Sequence, residues 1–151
     1  MILLFYGILN LMTLDIEKLK LKTKPIAERY NLRLVILYGS FVKNLAKEAS
    51  DIDIAVLGKQ KISFQEEIDI INEFIPVGGE FGIKEVDVKS LHNTSPLFRF
   101  QVIKNGILLY GDNHDFNSFR AYAFRDYHDS RDLLALKDII IGKRMASLKK
   151  V

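Results

Sequence analysis

The chain has 151 residues, 48% of them hydrophobic and 27% charged, with a mean hydropathy of +0.06. That is one domain's worth of sequence, and 10 Phe and 6 Tyr give it the bulk for a core, which excludes disorder and collagen-like repeats. The net charge of +3 comes from Lys143, Arg144, Lys149 and Lys150 beyond Gly142, whereas residues 1–142 hold 18 basic and 19 acidic side chains, so the body is no basic nucleic-acid platform.

There is no cysteine, which removes disulfide frameworks, thiolate catalysis and Cys-based zinc sites and suits a reducing, cytoplasmic setting. His92, His114 and His128 lack metal-ligand spacing. Any metal would then sit on oxygen ligands, which points to magnesium, calcium or manganese.

Residues 1–14 open with the apolar run Met1 to Leu11, too short to cross a bilayer as a helix and without the basic flank of a signal peptide. They read as an appendage, and Met12 is a second plausible start. No later apolar run approaches membrane-spanning length, so no membrane association is expected. Thr13 is placed to cap a helix whose first turn holds Asp15 and Glu17, with Pro25 either kinking it or starting a second short helix.

Leu32 to Tyr38 reads as a buried strand ending at Gly39, and residues 40–50 as a polar helix and turn. Asp51 to Leu57 forms a second strand, with Ile52, Ile54 and Val56 on one face and Asp51, Asp53 and Ala55 on the other. Ser63 and Glu66 make a capping box for a helix with Phe64, Ile68, Ile71 and Ile75 on one face, ended by Pro76 and Gly78-Gly79. Ile83 to Leu91 contains a third strand, with Val86 and Val88 opposed to Glu85, Asp87 and Lys89. Pro96 opens a short helix closed by Gly106, and Ile107 to Tyr110 is a short strand. Asp115 is expected to cap a helix over 115–141 of about 40 Å, with a possible break at Asp129-Ser130 and a stop at Gly142. Alternating helices and strands define an α+β (α/β-like) domain over 15–142, followed by a solvated basic tail over 143–151.

The chemistry lies in Gly39-Ser40 and Asp51-Ile52-Asp53. At a strand-to-helix turn, glycine permits close backbone approach, and the Ser40 hydroxyl with the following amides can hold phosphate oxygens. Two carboxylates as close as Asp51 and Asp53 repel unless a cation lies between them, and a hard divalent ion bridging to a triphosphate is the usual answer. If the third strand neighbours the second, Asp87 joins them as third ligand and proton acceptor, completing the parts for two-metal in-line displacement at phosphorus. Taken singly, each feature reads as an ordinary turn or the solvated face of an edge strand. Their pairing at this spacing is expected from composition in on the order of a few chains per thousand.

Gly39-Ser40-x10-Asp51-x-Asp53 resembles the signature of the DNA polymerase β-like nucleotidyltransferases, and in its small size the chain resembles their minimal branch, the MNT antitoxins paired with HEPN toxins. Glu85-Val-Asp87-Val resembles the third-strand motif, Pro96 to Gly111 the branch's helix and Gly-x-Leu-Leu-Tyr strand, and Phe119 to Asp132 its aromatic and arginine-rich last helix. The resemblance covers about residues 30–135. It implies the DNA polymerase β-like nucleotidyltransferase fold, a small mixed sheet flanked by helices with a long C-terminal helix. It also implies magnesium-dependent transfer of AMP from ATP to a tyrosine of the HEPN toxin, in a hetero-oligomer. By position, Gly39, Ser40 and Lys43 would bind the nucleotide, and Asp51, Asp53 and Asp87 the metals. The chain departs from the branch at Val42-Lys43-Asn44, where an arginine is usual; Lys43 keeps the charge without a bidentate fork.

Arg120, Arg125 and Arg131 read either as triphosphate-steering groups or as partners of Asp126, Asp129 and Asp132, and Tyr110 as base-stacking or core. Leu133, Leu134, Leu136, Ile139, Ile140 and Ile141 make the last helix apolar around much of its girth, for packing inside the domain or for a toxin or second copy. Two rival functions remain: an antitoxin acting by contact alone, and an adenylyltransferase for a small molecule or an RNA end. The Arg-x4–6-His motif of HEPN toxins is absent, so the toxin would be another polypeptide.

Overall fold

The computed structural model describes residues 14–43 and 50–149. Its elements are α1 (Ile16–Arg29), β1 (Leu32–Tyr38), β2 (Ile52–Gly58), α2 (Phe64–Glu80), β3 (Val86–Ser90), α3 (Pro96–Asn105), β4 (Ile107–Tyr110) and α4 (Asn113–Leu148). The strands form one mixed sheet in the order β3-β2-β1-β4. β1 runs antiparallel to both β2 and β4, and β2 runs parallel to β3.

Strand periodicity divides the core into two layers. Val35, Leu37, Ile52, Ile54, Val56 and Val88 pack on one face against Leu19 and Ile26 of α1 and Ile70 and Phe74 of α2. Leu34, Ile36, Ala55 and Leu57 occupy the opposite face beneath Val102 of α3 and Phe116 of α4. β1 is apolar almost without interruption because helices cover both its faces.

Helix boundaries depart from expectation in several places. Asp15, not Thr13, caps α1, its carboxylate accepting from the Lys18 amide at 3.0 Å; Thr13 and residues 1–13 generally lie outside the described residues. α1 runs through Pro25 without a second helix starting there, because Pro25 is on the solvent side. The Leu21 carbonyl that loses its donor is on that side too. The same holds for Pro76 in α2, whose four-residue predecessor Asn72 is exposed. Gly78 does not stop α2 either: a Cβ there would lie 2.6 Å from Val86 Cγ2, so the missing side chain lets the helix lie against β3. The buried face of α2 is Ile70, Phe74 and Val77, not the stripe that includes Phe64 and Ile75, both of which are exposed. Ser63 and Glu66 do form the expected capping box.

α4 is capped by Asp112, which accepts from the amides of His114 and Asp115, while the Asp115 carboxylate is taken by Arg33 at 2.8 Å. The helix continues through Asp129-Ser130 and Gly142 to Leu148, about 54 Å. Its first half packs on α3, through Arg99–Asp126 at 2.7 Å and Phe100 stacked on Tyr127 at 4.4 Å. From Arg131 to Lys149 every residue is exposed, so the apolar distal half does not pack inside the domain.

Candidate active site

The site lies where β1 ends and where β2 and β3 begin. Register places Tyr38 opposite Asp53 and Asp53 opposite Asp87, a row of three side chains across three strands. The row continues the alternation of Ile36, Ala55 and Leu57, so it sits at the margin of the face that α3 and α4 cover. The parallel pairing of β2 with β3 is what brings Asp87 to Asp53, two residues 34 positions apart.

Gly39 follows Tyr38 with a φ of +80°, a conformation that glycine adopts without strain. A Cβ at this position would stand 2.1 Å from Asp53 Oδ2, so the glycine is also what lets the carboxylate lie against the backbone of the turn. Ser40 to Lys43 form a turn, not the first turn of a helix; residues 44–49, including Asn44, lie outside the described residues. Phosphate contacts expected of a helix N-terminus therefore fall, in the described part, to the amides of a turn. Phe41 and Val42 pack against the core and Lys43 is exposed.

The electrostatics are those of crowded negative charge. Burial holds the Asp53 carboxyl above the usual carboxylate range, Asp87 and Asp51 push it further up, and Lys89 opposes them. The Tyr38 hydroxyl is held well above its ordinary value by burial and by Asp53 and Asp87. Lys89 Nζ is 2.8 Å from Asp87 Oδ2, and that bond raises the lysine's own pKa. Among the described residues, no three His, Asp or Glu side chains stand close enough to share one ion in this arrangement. The donor set nevertheless fits a hard cation, because Asp53 feels both neighbouring carboxylates and the missing side chain of Gly39 leaves room for its Oδ2.

Asp51, Asp53, Asp87, Gly39 and Ser40 thus lie at one end of the sheet, and Lys43, three residues beyond Ser40, is exposed. Sequence reasoning assigned no role to Lys89 or Phe98, whose ring lies 5.6 Å from Tyr38 and 5.9 Å from Lys89 Nζ. The available signal for Lys89 was its i+2 spacing from Asp87. Arg120 stacks over Phe116, Arg131 stands 4.0 Å from Asp132, and the half-buried Tyr110 packs on the core.

A mixed α+β sheet with this carboxylate row is the arrangement of a nucleotidyltransferase. The family model described as "Polymerase beta, Nucleotidyltransferase" matches residues 21–115, and the chain belongs to that family. "Putative protein adenylyltransferase MJ0435" of Methanocaldococcus jannaschii is 29% identical over 94 residues, which cover 62% of this chain and 97% of the relative. "Putative protein adenylyltransferase MJ1547" of the same organism is 29% identical over 91 residues, covering 60% of this chain and 65% of the relative. A solved toxin-antitoxin with AMP-PNP matches with a TM-score of 0.66 at 23% identity, over 81% of this chain and 98% of that one. A tri-AMPylated Shewanella oneidensis HEPN toxin in complex with MNT antitoxin matches with a TM-score of 0.62 at 22% identity, over 83% and 98%. These structures share the fold. Among the described residues no helix is long and apolar enough to cross a membrane.

Proposed function

We propose that this nucleotidyltransferase transfers AMP from ATP to a tyrosine hydroxyl of a HEPN-type toxin, and so acts in the cytoplasm as the antitoxin in a hetero-oligomer with it. The observation that carries the reading is the pairing of Asp53 with Asp87 on neighbouring strands, with Asp53 lying against Gly39 and the Gly39-Ser40 turn beside it. The names of the Methanocaldococcus relatives, and the toxin-antitoxin complexes that share the fold, support the choice of nucleotide and acceptor.

Asp51, Asp53 and Asp87 would hold two magnesium ions, which when bound there supply Lewis acidity to the phosphoryl oxygens and lower the pKa of the attacking hydroxyl. The Ser40 hydroxyl and the amides of its turn would hold phosphate oxygens, with Lys43 adding positive charge. The acceptor oxygen attacks the α-phosphorus, the bond to the bridging oxygen breaks, and pyrophosphate leaves. Asp87 takes the acceptor's proton. The partner is read onto the distal half of α4, where exposed Leu133, Leu134, Ile140 and Ile141 stand among Arg131, Lys137, Lys143 and Arg144, with Lys149 just beyond the helix and Asp132 and Asp138 as its two acids. An apolar surface edged with acids complements it.

Incubation of protein, magnesium, labelled ATP and the toxin is expected to label the toxin, and Asp53→Ala to abolish the label. Undiminished transfer by Asp53→Ala overturns the reading. The exposed distal helix, which owes nothing to the carboxylate row, favours a second reading in which contact alone neutralises the toxin. Neutralisation that survives in Asp51→Ala/Asp53→Ala would establish it.

A further inference from the structure

Asp53 and Asp87 are paired across parallel strands, a placement in which like charges repel. Asp51 adds to the repulsion. Until a metal ion binds, the fold needs a countercharge here, and one is built in. Lys89 stands two residues beyond Asp87 on β3, hence on the same face, with Nζ 2.8 Å from Asp87 Oδ2. Its field also favours the ionised form of Asp53.

The ammonium has somewhere else to go. It lies 5.9 Å from the centroid of the Phe98 ring, and its side chain is 52% exposed, so it is not locked in place. Beyond Asp87 it lines a cavity of about 440 Å³ shared with Glu67, Ser90, His92 and Phe98. Glu67 accepts the Ser90 amide at 2.9 Å through Oε1, which leaves its other oxygen for a cation.

We propose that Lys89 is a tethered counter-ion, occupying at Asp87 the place a divalent ion takes, so that metal entry displaces it toward Phe98 and Glu67. The inference rests on the reading of Asp51, Asp53 and Asp87 as metal ligands. It gives Lys89 two opposite effects: the residue stabilises the metal-free protein and weakens metal binding. A lysine that merely braced β3 would have only the first.

The test is Mn²⁺ binding to the metal-free, nucleotide-free protein, followed by the electron paramagnetic resonance of free Mn²⁺, together with Tm in EDTA and in saturating Mn²⁺. Lys89→Met is expected to bind Mn²⁺ about fivefold or more tightly than wild type. It is also expected to melt earlier in EDTA, with the gap closing in Mn²⁺. Lys89→Arg, which keeps the charge, is expected to restore wild-type behaviour in both measurements. Equal Mn²⁺ affinity of wild type and Lys89→Met, or a Tm loss of the same size with and without Mn²⁺, overturns the counter-ion role and leaves the metal reading standing. No Mn²⁺ binding by either protein overturns both.

Discussion

The carboxylate end of the sheet and the distal half of α4 are opposites in how they are held. At the sheet, strand register places Tyr38, Asp53 and Asp87 in one row, and Gly39 is shaped around the Asp53 carboxylate. Along α4 beyond Asp129, large apolar side chains are exposed, with no tertiary support among the described residues. A solitary helix of some 20 residues is of marginal stability in water. One region bears internal strain to keep charges together; the other leaves apolar surface uncovered. Under the proposed function, chemistry would be prepared inside the domain, while recognition would fall to a surface that the partner completes.

Changes at the two regions should therefore fail in different ways. The largest effect is expected for Asp87→Asn, which keeps the side-chain shape but removes the proposed proton acceptor: label transfer to the toxin is expected to drop by about a hundredfold or more, with an unchanged circular dichroism spectrum. Gly39→Ala should damage both activity and fold, since it forces a Cβ into Asp53 and a side chain into φ +80°. Urea denaturation is expected to show a loss of about 2 kcal/mol. Retention of full stability would mean that the turn is not held as described.

Ile140→Asp/Ile141→Asp in α4 should separate the regions most clearly. Its expected effect on unfolding of the domain is within about 0.5 kcal/mol, because both residues are exposed. Co-purification of the toxin with the variant is expected to be lost. Unfolding of the domain by this change would show that the distal helix has support of its own.

The smallest effect is a gain. Asp53→Asn removes a carboxylate whose ionisation the fold opposes, and is expected to raise the Tm of the metal-free protein at pH 7 by about 2–4 °C. The sign with pH follows from the upward shift of Asp53. The native state takes up its proton before the unfolded chain does, so the handicap is full above the raised folded value and fades as pH falls through it. Wild type and Asp53→Asn should converge in Tm on acidification. Parallel Tm curves down to pH 4 would place the strain elsewhere.

Much of this was legible in local pattern. Alternation along Asp51 to Leu57 put the two aspartates on one face, and Ser63 with Glu66 marked the start of α2; both follow from strand geometry and cap chemistry alone. The end of α2 was not legible, because a proline and two glycines read as a stop unless one knows which face is exposed and that Val86 needs the space at Gly78. The same blindness put the stop of α4 at Gly142, although a glycine on an exposed helix costs only about 1 kcal/mol. Lys89 was placed on the correct face, yet its pairing with Asp87 depends on rotamers and on the room beside Phe98.

By itself the sequence determined the four strands, the spacing of Gly39-Ser40 from Asp51 and Asp53, and the apolar girth of the last helix, since each is a matter of residue type at a fixed interval along the chain. Only the tertiary structure decided that β3 lies parallel beside β2, setting Asp87 against Asp53, and that α4 outruns the domain it caps. Interval along a chain sets which face a side chain takes. Which strands become neighbours, and where a helix loses its cover, depends on burying both faces of the sheet at once, and no local segment carries that condition.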